Sequence, residues 1–224
     1  MRSFSKLEKL IMRTFFEIGA IQFGEFKLKL HERNPNAPLS PIYLNLRTPT
    51  NPKPGPLTPE VLKLCAVAMK EKVASLGLQY DLLCPIPNAG NDFAEAYTDL
   101  FPGNREDYLV RLRKIEADGK RCVVADQPNL EKTKGRRVLP FDDLISEADT
   151  KNEAIDAIVG EAIQGIVEDL MVLVDRCQGG VDVMAKRGVR VVSILDLPDI
   201  LTFYAEEGLI APATELQVRA YLKL

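Results

Sequence analysis

Short apolar runs alternate with helical patterns through most of the chain, and this alternation constrains the fold more than any other feature. The apolar runs after residue 77 are YDLLCPI, YLVRLR, RRVLPF, DLMVLVD and RVVSILDL. The helical patterns between and after them are NDFAEAYTDLF, TKNEAIDAIVGEAIQGIVE, GGVDVMAKRG and PDILTFYAEEG. Strand-like runs that alternate with helices predict an α/β fold, in which helices flank a parallel sheet.

Charged residues stand at the ends of two of these runs. Asp142 and Asp143 follow RRVLPF, and Asp175 and Arg176 close DLMVLVD. In parallel sheets, ligands bind at the carboxyl ends of the strands. We therefore expect the two charged pairs to belong to one ligand site.

The 224 residues suit one domain with a small accessory lobe. Residues 1–47 predict an N-terminal helix and a hairpin-like cap lobe, and residues 60–224 predict the α/β core. The proline-rich segment 48–59 predicts a stiff surface linker, since proline is excluded from helices and central strands. After the linker, a helix is expected with Thr58 as its N-cap and Gly77 as its end.

Composition excludes several classes of function. A net charge of −3 gives no reason to expect binding of nucleic acid or of an anionic membrane. Four cysteines without a C-x-x-C pair and a single histidine predict no metal site formed by the chain itself. No apolar run approaches the roughly 20 residues that cross a bilayer. We expect a cytoplasmic protein with small-molecule partners.

Seven segments, in this order, resemble the orotate phosphoribosyltransferase family of type I phosphoribosyltransferases. They are EIGAIQFGEFKLKL, SPIYLNLR, DLLCPIPNAGN, YLVRLRK, RVLPFDDLISEADT, MVLVDRCQGG and VRVVSILDLPDIL. The resemblance extends from about Leu10 to about Leu201. Each motif alone is weak, but their order is specific for the family.

The resemblance implies a reaction and its partners. Such enzymes transfer a 5-phosphoribosyl group from phosphoribosyl pyrophosphate to orotate, and pyrophosphate leaves. The expected partners are these two small molecules, with Mg²⁺ accompanying phosphoribosyl pyrophosphate. A homodimer is expected by analogy with the fold family alone.

The resemblance also implies the roles of individual residues. The catalytic residues it implies are Arg113, Lys114, Asp142 and Asp143. The phosphoribosyl pyrophosphate-binding residues it implies are Asn88, Ala89, Gly90, Ser146, Glu147, Ala148, Asp149 and Thr150. The base-binding residues it implies are Lys29, Tyr43 and Arg176.

These residue types suit the implied chemistry. Two carboxylates can hold the ribose hydroxyls, and the guanidinium fork of Arg176 fits the planar carboxylate of orotate. Taken without the resemblance, two acids after a strand are more typical of a solvated turn. Tyr43 is then equally well explained as a half-buried strand tyrosine, and Lys29 as an exposed lysine.

The chain departs from the family pattern in three places. The segment RKIEADGKR contains no histidine, so it offers no group that titrates near neutrality. The phosphate loop, residues 146–150, contains no glycine and carries Glu147 and Asp149. Pro140 stands in a predicted central strand, where it suggests a bulge.

The acidic loop leads to a hypothesis about the phosphate pocket. A carboxylate about 4 Å from a phosphate costs on the order of 4 kcal/mol at an effective dielectric constant near 20. We therefore hypothesise that Glu147 or Asp149 occupies the former anion pocket. The sequence TKNE at Thr150 also predicts a capping box, which would occupy the first amides of the helix.

Three functions fit these observations. The leading one is an orotate phosphoribosyltransferase with altered or reduced activity. The second is a non-catalytic member of the fold that binds a nucleotide or base, which the missing histidine and the acidic loop favour. The third is a phosphoribosyltransferase for another base, although Arg176 favours a base with a carboxylate.

Overall fold

The computed structural model describes residues 3–27, 31, 34–117, 120–126 and 133–224, without the side chains of residues 117, 120 and 121. The predicted base-binding residue Lys29 lies outside the described residues. In chain order the helices and strands are α1 (Lys6–Glu17), β1 (Ile21–Phe26), β2 (Ser40–Leu44), α2 (Pro59–Leu76), β3 (Leu82–Pro85), α3 (Ala89–Thr98), β4 (Leu112–Ala117), β5 (Lys120–Ala125), β6 (Val138–Ile145), α4 (Asp149–Val159), β7 (Asp169–Asp175), α5 (Gly180–Lys186), β8 (Arg190–Asp196), α6 (Leu197–Glu206) and α7 (Pro212–Leu222).

A parallel sheet of four strands, in the order β3-β6-β7-β8, forms the centre of the described structure. Its strands coincide with four of the five predicted runs. Strand β7 is buried along its whole length, and β6 is buried at all but one position. This burial explains why both strands are almost continuously apolar instead of alternating. The predicted α/β fold with a parallel sheet is confirmed.

Helices cover both faces of this sheet. On one face, α1, α2, α3, α6 and α7 pack over a large apolar cluster that includes Phe93, Phe141 and Tyr204. On the other face, α4 and α5 pack over a smaller cluster that includes Ile155 and Met184. The larger cluster also packs the N-terminal lobe against the sheet. In addition, Tyr204 of α6 donates a hydrogen bond to the Met12 carbonyl of α1 at 2.7 Å.

The run YLVRLR was wrongly predicted as a full strand of the parallel sheet. Its first half makes one isolated parallel bridge, between Leu109 and Leu83. Its second half begins β4, which pairs antiparallel with β5 in a separate two-stranded ribbon. The sequence analysis did not identify β5, because the charged residues around it obscure the alternation of the ribbon.

The helix predicted over residues 150–168 is shorter than expected and ends at Val159. Gly160 leaves the helix in an extended conformation, with ψ at 171°. Gly165 then passes close to the sheet, where a Cβ atom would lie 2.8 Å from Val138. The apolar periodicity continues through this turn and therefore gave no sign of the break.

Pro140 produces no bulge, so that expectation was wrong. It pairs with Cys84 in the regular parallel register of β3 and β6. The register between β6 and β7 begins one residue later, at Phe141. Pro140 thus precedes the part of the ladder in which its missing N–H group would be needed.

The N-terminal lobe contains the expected hairpin, in which β1 and β2 pair antiparallel. Segment 48–59 then folds back against neighbouring elements. Thr48 donates a hydrogen bond to Asp92 of α3 at 2.7 Å, and Asn45 donates one to the Pro54 carbonyl at 3.0 Å. Helix α2 begins at the predicted Thr58 cap and ends at Gly77 in the left-handed conformation.

No helix among residues 3–27, 34–117 and 133–224 combines the length and the apolar character that a bilayer crossing requires. The sequence analysis assigned no structure to the C-terminal helix α7, which covers part of the large apolar cluster through Val218 and Leu222.

We predict that Gly90→Ala lowers the free energy of unfolding by about 1–3 kcal/mol, as overpacking does in other cores. The added Cβ would lie 2.3 Å from the carbonyl oxygen of Phe141, so α3 and β6 must separate. Urea denaturation measures the change. Asn91→Ala in the same helical turn is the control, with an expected change within about 0.5 kcal/mol. Equal stabilities of the two variants would contradict this account.

Candidate functional site

A cavity of about 930 Å³ opens at the carboxyl end of the parallel sheet. The residues that line it come from segment 45–53, the β3–α3 loop and first turn of α3, β4, the residue after β5, the end of β6, the loop and first turn of α4, and the residue after β7. They are Arg47, Asn51, Pro52, Lys53, Pro87, Asn88, Ala89, Asn91, Leu112, Arg113, Lys114, Ile115, Glu116, Asp126, Asp142, Asp143, Leu144, Ser146, Thr150, Lys151 and Arg176.

The cavity brings together nine of the predicted site residues. They are Arg113, Lys114, Asp142, Asp143, Asn88, Ala89, Ser146, Thr150 and Arg176. Its lining contains six basic and four acidic side chains. The cavity therefore has positive character although the whole chain carries a net charge of −3, and this favours an anionic ligand.

The two acids at the end of β6 are both buried, with 5% of Asp142 and 7% of Asp143 exposed. Asp142 forms an ion pair with Lys151 at 2.6 Å between Oδ2 and Nζ. Its Oδ1 accepts the Asp143 amide at 2.8 Å, and Oδ1 of Asp143 accepts the Leu144 amide at 2.8 Å. These bonds fix both carboxyl groups at the edge of the cavity.

The acids differ in charge because one of them has a cationic partner. Burial and the neighbouring Asp142 carboxylate raise the pKa of Asp143 to about 8. Burial alone would lower the pKa of Lys151, but the charges of Asp142 and Asp143 outweigh it and raise that pKa. At neutral pH the geometry thus favours a Lys151–Asp142 ion pair beside a protonated Asp143.

The phosphate loop keeps the backbone shape that glycine would otherwise provide. Ala148 has φ 72° and ψ 12°, in the left-handed region that non-glycine residues rarely adopt. Helix α4 begins directly after it, at Asp149. Among the described residues, no acceptor is hydrogen-bonded to the amides of residues 147–151. Free amides at a helix N-terminus form an anion site.

The capping box predicted at Thr150 was wrong. The N-cap is Ala148, and no side chain caps the helix. Thr150 lies inside the first turn and lines the cavity. The helix begins earlier than TKNE suggests because the left-handed turn at Ala148 already directs the chain into the helix.

The hypothesis that Glu147 or Asp149 fills the anion pocket was also wrong. Both side chains are exposed, and neither lines the cavity. The turn and the first helical position leave both carboxylates exposed, although the charge of Glu147 still acts on Arg176. Lys151, two residues further on, is the loop-proximal charge that enters the cavity.

The β3–α3 loop contributes Pro87 and Asn88 to the cavity, and the first turn of α3 contributes Ala89 and Asn91. The peptide bond between Pro87 and Asn88 is cis. Gly90, by contrast, does not line the cavity, because it packs against the backbone of β6. Its small size therefore supports helix–sheet packing.

Arg176 follows β7 and turns into the cavity. Its Nε atom is buried and has no hydrogen-bond partner among the described residues. Burial lowers the pKa of Arg176, and this effect is opposed by Tyr221 and Glu147. The carboxylate of the preceding residue, Asp175, accepts a hydrogen bond from the Cys177 amide at 2.8 Å. A buried guanidinium nitrogen without a partner is costly, which points to an anionic or acceptor ligand.

Strand β4 contributes Arg113 and Lys114 to the lining of the cavity. Arg113 is exposed and forms an ion pair with Asp126 at 3.0 Å. Tyr43 does not line the cavity; its ring stacks on Phe26 of β1, with centroids 5.6 Å apart. That contact agrees with the alternative interpretation of Tyr43 as a half-buried tyrosine of a strand.

Sequence reasoning did not identify Arg47, Lys53 and Lys151 as lining residues. Nothing in the local sequence marks Arg47 or Lys53, because the fold of segment 45–53 places them in the cavity. Lys151 did leave a signal: it shares a helical face with Ala154, Ile155 and Ile158, which are all buried. A lysine on a buried face indicates a buried partner.

No group of three histidine, cysteine or carboxylate side chains within the described ranges is arranged to hold a metal ion. Mg²⁺ commonly binds one or two carboxylates together with substrate phosphates. The carboxyl groups of Asp142 and Asp143 therefore suit a cation that is also bound by a phosphorylated ligand.

Two proteins with similar sequences align with most of this chain. An orotate phosphoribosyltransferase of Caenorhabditis elegans is 26% identical over 188 residues, which cover 83% of this chain and 73% of the relative. An orotate phosphoribosyltransferase of Methanopyrus kandleri is 28% identical over 186 residues, which cover 82% of this chain and 86% of the relative. No family model matches the sequence.

The fold is similar to that of a solved UMP synthase of Leishmania donovani, with a TM-score of 0.73 and 24% identity. The similarity covers 96% of this chain and 42% of that longer protein. These comparisons confirm the resemblance to the orotate phosphoribosyltransferases and the type I phosphoribosyltransferase fold class.

We predict that Asp143 makes the protein less stable as the pH rises from about 4 to 8. In this window the unfolded chain releases the proton near its ordinary pKa of 3.8, whereas the folded protein keeps it up to about 8. Each pH unit then lowers the free energy of unfolding by up to about 1.4 kcal/mol.

Asp143→Asn should remove this part of the pH dependence. Urea denaturation at pH 5 and pH 8 gives the stability difference for each protein. Asp182→Asn, at an exposed position on α5, is the matched control and should behave as the unsubstituted protein does. An Asp143→Asn variant with unchanged pH dependence would show that Asp143 is already ionised in the folded state.

Proposed function

We propose that this chain, a relative of the orotate phosphoribosyltransferases with the type I phosphoribosyltransferase fold, transfers a 5-phosphoribosyl group from phosphoribosyl pyrophosphate to orotate. The products are orotidine 5′-phosphate and pyrophosphate. The observation that carries the proposal is the buried Nε of Arg176, which has no hydrogen-bond partner in the described part of the chain and lies in a cavity of positive character.

Arg176 is the residue suited to the base. A guanidinium group presents parallel N–H donors that match a planar carboxylate, and orotate carries such a group. Leaving a buried donor without an acceptor costs about 1–3 kcal/mol, and more for a charged group. Binding the orotate carboxylate would remove this cost, so the position of Arg176 suits this base.

The acidic pair is suited to the ribose. Asp142 and Asp143 stand at the carboxyl end of β6 with fixed orientations, so their remaining oxygens can contact the ribose hydroxyls. A protonated Asp143 can also donate a hydrogen bond, which an ionised carboxylate cannot do. Rigid placement of this kind orients the sugar while positive charge develops on it.

The phosphoryl groups have two separate receptors in this arrangement. The free amides of residues 147–151, with the Ser146 and Thr150 hydroxyls, suit the 5-phosphate. Arg113 and Lys114 on β4 and the amides near Asn88 and Ala89 suit the pyrophosphate. Cations at that end neutralise the charge that develops as pyrophosphate leaves.

Magnesium is proposed as part of the donor substrate. The acidic pair fits a cation that is held mainly by phosphates, as Mg²⁺ usually is. When bound, the ion would supply positive charge for the departing pyrophosphate. The residues of the chain orient the sugar and exclude water around it.

Turnover is expected to be slower than in relatives that carry a histidine in the catalytic loop. Residues 113–121 offer arginine and lysine but no side chain with an ordinary pKa near neutrality. These cations can bind pyrophosphate but cannot readily donate a proton to it. We also propose a homodimer by analogy with the fold family. The widely spaced cysteines support a cytoplasmic location, and the net charge of −3 supports small-molecule partners without nucleic acid.

A second function is supported by the same departures. A non-catalytic member of the fold would bind a base or nucleotide through Arg176 and need no proton donor. The missing loop histidine favours it, together with the two acids at the rim of the phosphate loop. Both functions predict ligand binding, but only the transferase predicts formation of product. An assay of turnover therefore separates them.

We predict that the purified protein consumes orotate when phosphoribosyl pyrophosphate and Mg²⁺ are present, measured as loss of orotate absorbance. Arg176→Ala should lower kcat/KM by at least about 100-fold, equivalent to roughly 3 kcal/mol. Arg176→Lys should recover little of it, since lysine keeps the charge but loses the planar fork. Arg136→Ala removes an exposed arginine outside the cavity and should leave turnover unchanged.

Binding without turnover would support the non-catalytic alternative. In that case titration calorimetry should detect orotate or orotidine 5′-phosphate, and Arg176→Ala should weaken the binding. A folded protein that binds neither molecule would overturn both functions.

A further inference from the structure

Lys151 is a buried cation in the first turn of α4. It is 8% exposed, and its Nζ lies 2.6 Å from Oδ2 of Asp142. The side chain lines the same cavity as the Ser146 and Thr150 hydroxyls. It therefore contacts the acidic pair and shares the cavity with residues of the phosphate loop.

A lysine in this position is unfavourable unless an acidic partner neutralises its charge. Burial disfavours the charged form, and the N-terminus of a helix already carries partial positive charge. The neighbouring positions on the same face are the apolar residues Ala154, Ile155 and Ile158. The charge of Asp142 compensates Lys151, but a single carboxylate does not use all three donors of an ammonium group.

The contacts of Lys151 leave N–H groups of its ammonium available to a ligand in the cavity. Among the described residues, Asp142 is the hydrogen-bonding partner of the ammonium group. Because the side chain also lines the cavity, its unused N–H groups can reach a molecule bound there. The nearby free amides favour a ligand with several acceptor oxygens and negative charge.

We propose that Lys151 is a ligand-binding residue whose ammonium group, held in place by Asp142, binds the phosphate monoester end of the ligand together with the amides of residues 147–150. The inference deepens the proposed function, since it assigns a further contact to the same phosphate subsite. It also gives the chain a fixed cation that offsets the acids Glu147 and Asp149 at the rim. The phosphate subsite then binds a phosphate monoester without a divalent metal.

Ribose 5-phosphate in buffer with EDTA is the probe, and titration calorimetry is the measurement. The unsubstituted protein should bind it, and Lys151→Met should weaken binding by more than tenfold. Lys63→Met, at an exposed position on α2, is the matched control and should leave the affinity within twofold. Lys151→Arg should retain part of the affinity because it keeps a cation at the site.

A lysine that served merely as a counterion for Asp142 would behave differently. Lys151→Met leaves the Asp142 carboxylate buried and unpaired, which can disturb the fold without any ligand contact. The double variant Lys151→Met/Asp142→Asn removes both charges and avoids this problem. It should bind ribose 5-phosphate more than tenfold more weakly than Asp142→Asn alone.

Equal affinities of Asp142→Asn and the double variant would overturn the proposal and leave Lys151 a structural counterion. Failure of the unsubstituted protein to bind ribose 5-phosphate in EDTA would overturn it as well. This test measures no orotate turnover, so an absent transferase activity and an absent Lys151 contact remain distinguishable results.

Discussion

The site depends on the burial of two adjacent carboxyl groups at the end of β6. Two carboxylates cannot both keep their charge in a shared, poorly hydrated place without compensation. Here Asp142 is compensated by Lys151, and Asp143 is compensated by a raised pKa. The neighbouring amides then fix the orientation of both groups. The ribose end of the cavity thus has two buried acids in rigid positions, of which Asp142 is ion-paired and Asp143 has a raised pKa.

The cations of the cavity come from separate parts of the chain. Segment 45–53 supplies Arg47 and Lys53, β4 supplies Arg113 and Lys114, α4 supplies Lys151, and the end of β7 supplies Arg176. Apart from the adjacent Arg113 and Lys114, these cations are far apart in the sequence. Only the tertiary structure brings them to one cavity, which becomes positive within a chain of net negative charge.

The phosphate loop shows how a backbone shape can survive a change of residues. Ala148 adopts the left-handed conformation although it carries a Cβ atom, and the amides of residues 149–151 have no acceptor among the residues that the structure describes. The acids on either side of it extend to solvent. Composition alone suggested a closed anion pocket, but the direction of each side chain along a turn and a helix decides whether its charge enters the cavity.

Much of the fold could be predicted from the sequence because it depends on local patterns. The apolar runs predicted β3, β6, β7 and β8, and the Thr58 cap and Gly77 predicted both ends of α2. The acidic pair and Arg176 could be placed at one site because parallel strands end at one edge. Nine of the predicted site residues do line one cavity.

Other features required the tertiary structure. The end of α4 at Val159, the β4–β5 ribbon and the regular pairing of Pro140 depend on neighbours that are distant in the sequence. The entry of Lys151 into the cavity and the outward direction of Glu147 and Asp149 depend on the turn at Ala148. Sequence by itself determined which strands are buried and which charges follow them, because period and burial are local properties of the chain. Tertiary structure decided which of those charges meet, because a charge pairs with whatever packing brings within a few ångströms of it.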